Sequence, residues 1–223
     1  PTFENVPVDG LLSTEYAKTQ SNRINPNQAM SNPSAGNPRL GDDTIYLSVV
    51  DKDRNVVSFI NSLFHGFGSG LVAGDTGILL QNRGAGFSLD PSHANCIASH
   101  KRTMHTIIPG MIARDGMPLV TFGVMGGQMQ PQGHLQLVSN LIDFNMDVQS
   151  ALDAPRFRVM DDGNISLERG ISDSISNQLR EKKHHIIPPN TFFGGGQAIF
   201  VHPEYKTLIA GSDPRRDGCA VGY

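Results

Sequence analysis

The sequence has little cysteine, no surplus of basic residues and no long apolar run. Cys96 and Cys219 are its only two cysteines. Two are too few for a disulfide framework, and they read as buried free thiols rather than as a staple. Lys and Arg number 18 against 21 Asp and Glu, for a formal net charge of -3. No positive field of the kind that draws a protein to nucleic acid follows from that balance. No apolar run approaches the roughly 20 residues that a membrane-spanning helix needs. The residues after Pro1 do not read as a signal peptide. A sequence that opens without Met leaves its natural start open, and with it the compartment, a cytoplasmic one being slightly favoured.

What is present is a globular mix. Hydrophobic residues make up 38% and charged residues 17%, enough apolar surface for a core within 223 residues. The 24 glycines and 14 prolines imply many turns. Residues 1–43 differ from the rest. A short helix is expected over 11–19, with Ser13 as its cap and Glu15 in its first turn. Residues 22–43 are rich in Asn, Pro, Ser and Gly and read as a mobile linker. Order is expected from Thr44 onward, which divides the chain into 1–43 and a domain of 44–223.

Residues 44–50 and 55–60 are β-branched and apolar around a polar turn, the pattern of a β-hairpin. A short strand is expected at 77–80. A second hairpin is expected from 106–113 and 118–122 around Arg114-Asp115-Gly116. Helical periodicity covers 133–144, with Leu135, Val138, Leu141 and Ile142 on one face. A helix over 147–154 is capped by Asp147 and stopped by Pro155, and an amphipathic helix covers 173–183. Strands return at 197–201 and 207–210. The order strands, helices, strands predicts an α+β fold with helices packed on antiparallel sheet.

The junction Asp43-Thr44 carries the first chemical signal. A threonine at the head of a strand can act as nucleophile and base together if the peptide bond before it is cut. Its freed α-amine, with a reference pKa of about 7.7–8.0, can take the proton of its own hydroxyl near neutral pH. Position alone equally fits a threonine that merely favours strand.

From Thr44 the chain reads TIYLSVVDKDRNVVSFINSLFHGFGSGLVAGDTGILLQN, followed by Lys101-Arg102, Gly126-Gly127, APRF at 154–157, SDPR at 212–215 and a terminal GY. These motifs, in this order, resemble the small subunit of the γ-glutamyltranspeptidase family over 44–223, and residues 1–43 resemble the tail of its large subunit. The resemblance implies the four-layer αββα sandwich of the N-terminal-nucleophile hydrolases and self-cleavage between Asp43 and Thr44. It makes Thr44 the nucleophile, Ser62 a hydroxyl bonded to it, and Gly126 and Gly127 the oxyanion hole. Read by itself, Ser62 also fits a strand-end serine bonding nearby backbone, and the glycine pair an ordinary tight turn.

The departures from the family's pattern bear on the substrate. Phe64, Arg83 and Gly86 stand where the family's transpeptidases carry polar side chains that grip the γ-glutamyl α-amino and α-carboxylate groups. His105-Thr106 stands where they carry paired serines. Loss of an acidic group at Gly86 removes the partner for a substrate ammonium, while the Arg83 guanidinium suits a carboxylate. Arg83 also fits a plain ion pair. The expected activity is amide hydrolysis or acyl transfer on a γ-glutamyl or glutaryl-type amide, as in the cephalosporin-acylase-like branch. No metal or organic cofactor is needed for it. The implied partner is a large-subunit segment outside this sequence, and a homodimer stays open. The rival reading is an uncut, non-catalytic homologue that binds acyl-amino compounds.

GFGSG at 66–70 lacks the following helix of a dinucleotide loop. His184-His185 lacks further ligands at zinc-site spacing. The glycines at 194–196, after Phe192-Phe193, read most simply as a flexible turn, with a pocket-rim loop as the functional alternative.

Overall fold

The computed structural model describes residues 8–30, 43–189 and 192–222. Its helices are α1 (Val8–Leu11), α2 (Thr14–Asn22), α3 (Met129–Ile142), α4 (Val148–Asp153) and α5 (Asp173–Glu181). Its strands are β1 (Asp43–Val50), β2 (Val56–Phe64), β3 (Gly110–Arg114), β4 (Met117–Met125), β5 (Phe157–Val159), β6 (Ile165–Leu167), β7 (Ile186–Ile187), β8 (Gly195–Val201) and β9 (Leu208–Ser212).

The centre is a four-stranded antiparallel sheet in the order β3-β4-β8-β9. Alternation along β4 sends its side chains to two different neighbours. Val120, Phe122 and Val124 join Leu137 of α3 and Val148, Ala151 and Leu152 of α4 in the core. Thr121 and Gly123 face the other way, onto the β1–β2 hairpin. There the Tyr46 hydroxyl lies 2.7 Å from Ser48 Oγ, 2.8 Å from Ser58 Oγ and 3.2 Å from Thr121 Oγ1. Gly123 is required by this packing, because a Cβ there would sit 2.3 Å from Tyr46 Cδ2. Hairpin, central sheet and the α3–α4 layer thus make three of the four layers expected. On the outer face of the hairpin Ile45 is 68% and Phe59 50% exposed.

Several boundaries differ from expectation for identifiable reasons. Helix α3 begins at Met129, one turn before the expected 133, because Pro131 lies in the first turn, where its missing N–H costs nothing. Its inward face is Met129, Gln130, Gly133 and Leu137, whereas Leu135 and Ile142 point to solvent. Strand 77–80 does not form; Val72 and Leu79 make a single isolated bridge there. Residues 194–196 are not a free turn, since Gly195 and Gly196 begin β8. The expected single N-terminal helix is two, although Ser13 does cap the second by accepting from Tyr16 N–H at 3.1 Å. Part of the expected linker is ordered, with Ala29 N donating to Lys182 O at 2.7 Å. Residues 31–42 lie outside the described residues. Both cysteines are free as expected, but neither is buried, and Cys219 is exposed. Among the described residues no helix is long and apolar enough to cross a membrane.

His134 of α3 packs on Phe122 with ring centroids 5.0 Å apart, and its Nε2 accepts the Val124 N–H at 3.0 Å. Burial pushes its pKa down from 6.5 to about 4. The neutral form is the one the fold holds, so stability is complete above pH 6.5 and falls as pH drops from 6.5 toward 4. The gap corresponds to a loss of roughly 3 kcal/mol at most. His134→Gln keeps an acceptor for Val124 and is expected to flatten that segment of the stability–pH curve in urea titrations.

Candidate active site

Thr44 is half-buried at the head of β1, on the inward face it shares with Tyr46, Ser48 and Val50. Ser48 meets Thr121 at 3.3 Å and Tyr46 covers Gly123. One more same-face step along β1 leads to Thr44, and the matching step along β4 leads to Met125 and the Gly126-Gly127 turn. Across the hairpin Thr44 pairs with Ser62, and Asp43 pairs with Phe64. The register therefore slips by one residue at the Asp43–Thr44 peptide, with Leu63 as the extra residue. Phe64 sits at φ +82, a left-handed conformation that is costly for an aromatic residue. Ser62 Oγ supports this bend by accepting the Phe64 N–H at 3.0 Å.

Gly126 and Gly127 are buried between β4 and α3, at φ +119 and φ +54. Their carbonyls accept from Met129 N–H and Gln130 N–H, each at 2.9 Å. Gly126 has no room for a side chain, because a Cβ would lie 2.8 Å from Phe192 Cε1. A turn of this kind leaves backbone N–H groups near a helix start, where they favour negative charge.

The sequence-predicted substrate residues form a second group beside the hairpin end. Arg83 and Gly86 bound a 3-10 turn, Arg83–Gly86. The Arg83 guanidinium carbon lies 5.4 Å from the Phe64 ring centre, and Phe64 stacks on His65 at 4.4 Å. His105 is near enough to Arg83 to feel its charge. Burial first, then Arg83, lowers the His105 pKa, so the ring is neutral at neutral pH. Gly86 reaches the same segment, since Asn95 Nδ2 donates both to Gly86 O at 2.7 Å and to Thr103 Oγ1 at 3.1 Å. Thr106 is buried, and Gln130 Oε1 accepts the Ile108 N–H at 3.0 Å, fixing this segment to α3.

Several supports were not legible in the sequence. Asn82 donates to His65 Nδ1 at 2.8 Å and accepts from His65 N–H at 3.1 Å, holding the chain just after Phe64. Asn95 acts similarly for Gly86. Both lie in irregular loops without periodicity. The APRF and SDPR motifs form a buried ion network. Arg156 donates to Asp213 at 2.7 Å, Arg215 donates to Asp213 at 3.0 Å, and Arg215 donates to Glu168 at 2.6 Å. Charged residues flanked by proline in both motifs were the available signal. Among the described residues no cluster of three or more His, Cys, Asp or Glu converges on a metal-sized site.

The family model described as Gamma-glutamyltranspeptidase matches residues 1–223. The chain is 38% identical to the glutathione hydrolase-like YwrD proenzyme of Bacillus subtilis (strain 168), covering 100% of this chain and 43% of that protein. It is 34% identical to the oxamate amidohydrolase proenzyme of Klebsiella pneumoniae subsp. pneumoniae, again over 100% of this chain and 43% of the other. Among solved structures it superposes on a cephalosporin acylase from Bacillus halodurans with a TM-score of 0.90 and 43% identity, covering 100% of this chain and 41% of that one. The chain thus spans less than half the length of these three proteins.

Proposed function

The chain belongs to the γ-glutamyltranspeptidase family, with the N-terminal-nucleophile hydrolase fold, and from that premise we propose that it is the self-processing catalytic part of an amidohydrolase acting through a threonine acyl-enzyme. The observation that carries this is the placement of Thr44. It heads an inward strand face running toward the Gly126-Gly127 turn, opposite Ser62, with a register slip at the bond to be cut.

In processing, Thr44 Oγ attacks the Asp43 carbonyl carbon and the C–N bond breaks, giving an ester and a free Thr44 amine. Water hydrolyses the ester, leaving an Asp43 carboxylate. In turnover the amine takes the Oγ proton as Oγ attacks the substrate amide, and the Gly126 and Gly127 N–H groups bind the oxyanion. The proton passes to the departing amine. Water, deprotonated by the same Thr44 amine, then attacks the ester and releases the acid. Ser62 orients Thr44 Oγ. Hydrolysis is favoured over transpeptidation, since side chains that grip a γ-glutamyl donor are replaced.

The acyl group carries a carboxylate held by Arg83 and needs no α-amine, with Phe64 as apolar wall and Gly86, His105 and Thr106 completing the pocket. The outer hairpin face is covered in the longer protein by its upstream segment, the large-subunit part. That leaves the chain by itself prone to associate through Ile45, Leu47, Val49, Val57 and Phe59.

N-terminal sequencing of the purified full-length protein is expected to find a chain beginning at Thr44. An intact Asp43–Thr44 bond would favour the uncut binding homologue instead, because an amide nitrogen cannot serve as base. Glutaryl-anilide is expected to be cleaved in preference to γ-glutamyl-anilide. Arg83→Met should raise KM for the glutaryl compound by about tenfold or more, the loss of a charge-assisted bond. A γ-glutamyl preference would overturn the assignment of the acyl group.

A further inference from the structure

An oxyanion hole made of two adjacent glycines has a weakness. Glycine is the residue with the most backbone freedom, yet catalysis requires donors already aimed before the charge develops. Something outside the pair must hold its peptide planes, and the structure shows what touches it.

The edge of the Phe192 ring abuts Gly126, with Phe192 Cε1 and Cδ1 at 2.8 and 3.2 Å from where a Cβ would stand. Gly194, at φ +81, closes on the preceding residues so tightly that a Cβ there would lie 2.8 Å from Met125 O. Gly195 then pairs with Met125 as β8 begins. The segment 192–196 therefore runs directly along the end of β4 that delivers Gly126.

That segment is pinned from its other side. The Arg216 guanidinium carbon lies 3.8 Å from the Phe192 ring centre. Arg158 Nη1 donates to Phe192 O at 3.1 Å, and Arg156 Nη1 donates to Phe193 O at 3.1 Å. Asp213 accepts the Gly196 N–H at 2.9 Å. Phe192 itself is only half-buried and Arg216 is exposed, so neither belongs to the core that stabilises the sheet.

We propose that Phe192, clamped between Arg216 and Gly126, is a positioning residue that sets the oxyanion-binding amides. The proposal rests on the reading of Gly126 as an oxyanion donor. Removing the ring takes away one contact that limits rotation at Gly126 and so loosens the aim of its N–H, although its carbonyl stays bonded to Met129 N–H. Binding of the tetrahedral state weakens while ground-state binding is left alone.

The test uses the full-length, self-cleaved protein, with active sites counted by N-terminal Thr44. Phe192→Leu is expected to lower kcat on the preferred anilide by about 10- to 100-fold with KM changed less than about twofold, the pattern of a misplaced donor. Affinity for a glutaryl-mimicking boronic acid, which forms a tetrahedral adduct on Thr44 Oγ, should fall by a similar factor. Phe192→Tyr, which keeps the ring, should behave as the parent. Arg216→Gln, at an exposed site that should not disturb folding, should lower kcat in the same direction but less. The clamp is overturned if Phe192→Leu leaves kcat and boronate affinity unchanged, or if Phe192→Tyr is as impaired as Phe192→Leu. A crystal structure of the boronate adduct of the parent protein separates the two readings. If an adduct oxygen meets the Gly126 N–H and Phe192→Leu is unimpaired, only the clamp fails. If no adduct oxygen meets the Gly126 N–H, the oxyanion assignment fails and the clamp with it.

Discussion

A Thr44→Ala protein is expected to remain one uncut chain and to lose amide cleavage by about four to six orders of magnitude. That is the loss seen when a nucleophile acting as part of a unit is removed. The size follows from the double role of this residue. In the proposed mechanism its hydroxyl is the attacking atom in both processing and turnover, and its amine, once freed, is the base. Alanine supplies neither the first attack nor, since the chain stays joined, the amine. Thr44→Ser keeps both groups and is expected to be cut and to turn over more slowly. Denaturing gels and anilide assays on the full-length protein check both variants. Full-rate cleavage by Thr44→Ala would remove the basis of the proposed mechanism, whatever the fold.

The pH response gives the same mechanism a second handle. The proposed base is an α-amine with a reference pKa of about 7.7–8.0, and only its neutral form accepts the Thr44 Oγ proton. The rate is therefore expected to rise with pH through that region. His105 is pushed below its ordinary pKa by burial and by Arg83, so it stays neutral across that range and contributes no limb of its own. His134 acts elsewhere and lower, on stability alone.

How much of this was legible depended on how local the signal was. The β1–β2 hairpin was plain, because its β-branched runs flank a polar turn in which Asp51 accepts from Asp53 N–H at 2.9 Å and Asn55 N–H at 2.8 Å. The Asp147 cap of α4 was equally local, accepting from Ser150 N–H at 3.0 Å. By contrast β5, β6 and β7 are two or three residues long, too short to show a period. They are strands only because they find one another. For α3, Pro131 concealed the true start, and with it the inward face.

The candidate site divides in the same way. Thr44, Gly126 and Gly127 stand at strand ends, but position alone fits a strand-forming threonine and a tight turn equally well, and it is the family resemblance that singles them out. That Phe64, Arg83, Gly86 and His105 come together could not be read from spacing, because the chain between them is irregular. Asn82 and Asn95 bind it together by side-chain bonds to backbone, which leave no pattern in the sequence. The ion network is the extreme case. Its members lie in separate motifs, and only the folded chain brings Arg156 and Glu168 against Asp213 and Arg215.

That network carries the largest expected effect on stability. Arg156 is 2% and Asp213 1% exposed, and their contact of 2.7 Å is sealed from water. Asp213→Asn leaves the Arg156 guanidinium charged and buried without its counter-charge, an arrangement that costs about 3–5 kcal/mol. Arg215 is less affected because Glu168 still pairs with it through two oxygens, at 2.7 and 2.6 Å. The loss should therefore arise mainly from Arg156, which makes it separable. The amide side chain that this substitution introduces still offers an oxygen to the Gly196 N–H. Adding Arg156→Met would remove the stranded charge while filling much of its volume. The double variant is thus expected to be more stable than Asp213→Asn alone, although it has lost more contacts. Urea unfolding of the full-length protein, its two single variants and the double variant closes the cycle. If the double variant is instead destabilised by the sum of the two single losses, the two side chains act independently. The cost would then lie in their separate bonds to Phe193, Leu152 and Gly196, not in the buried pair.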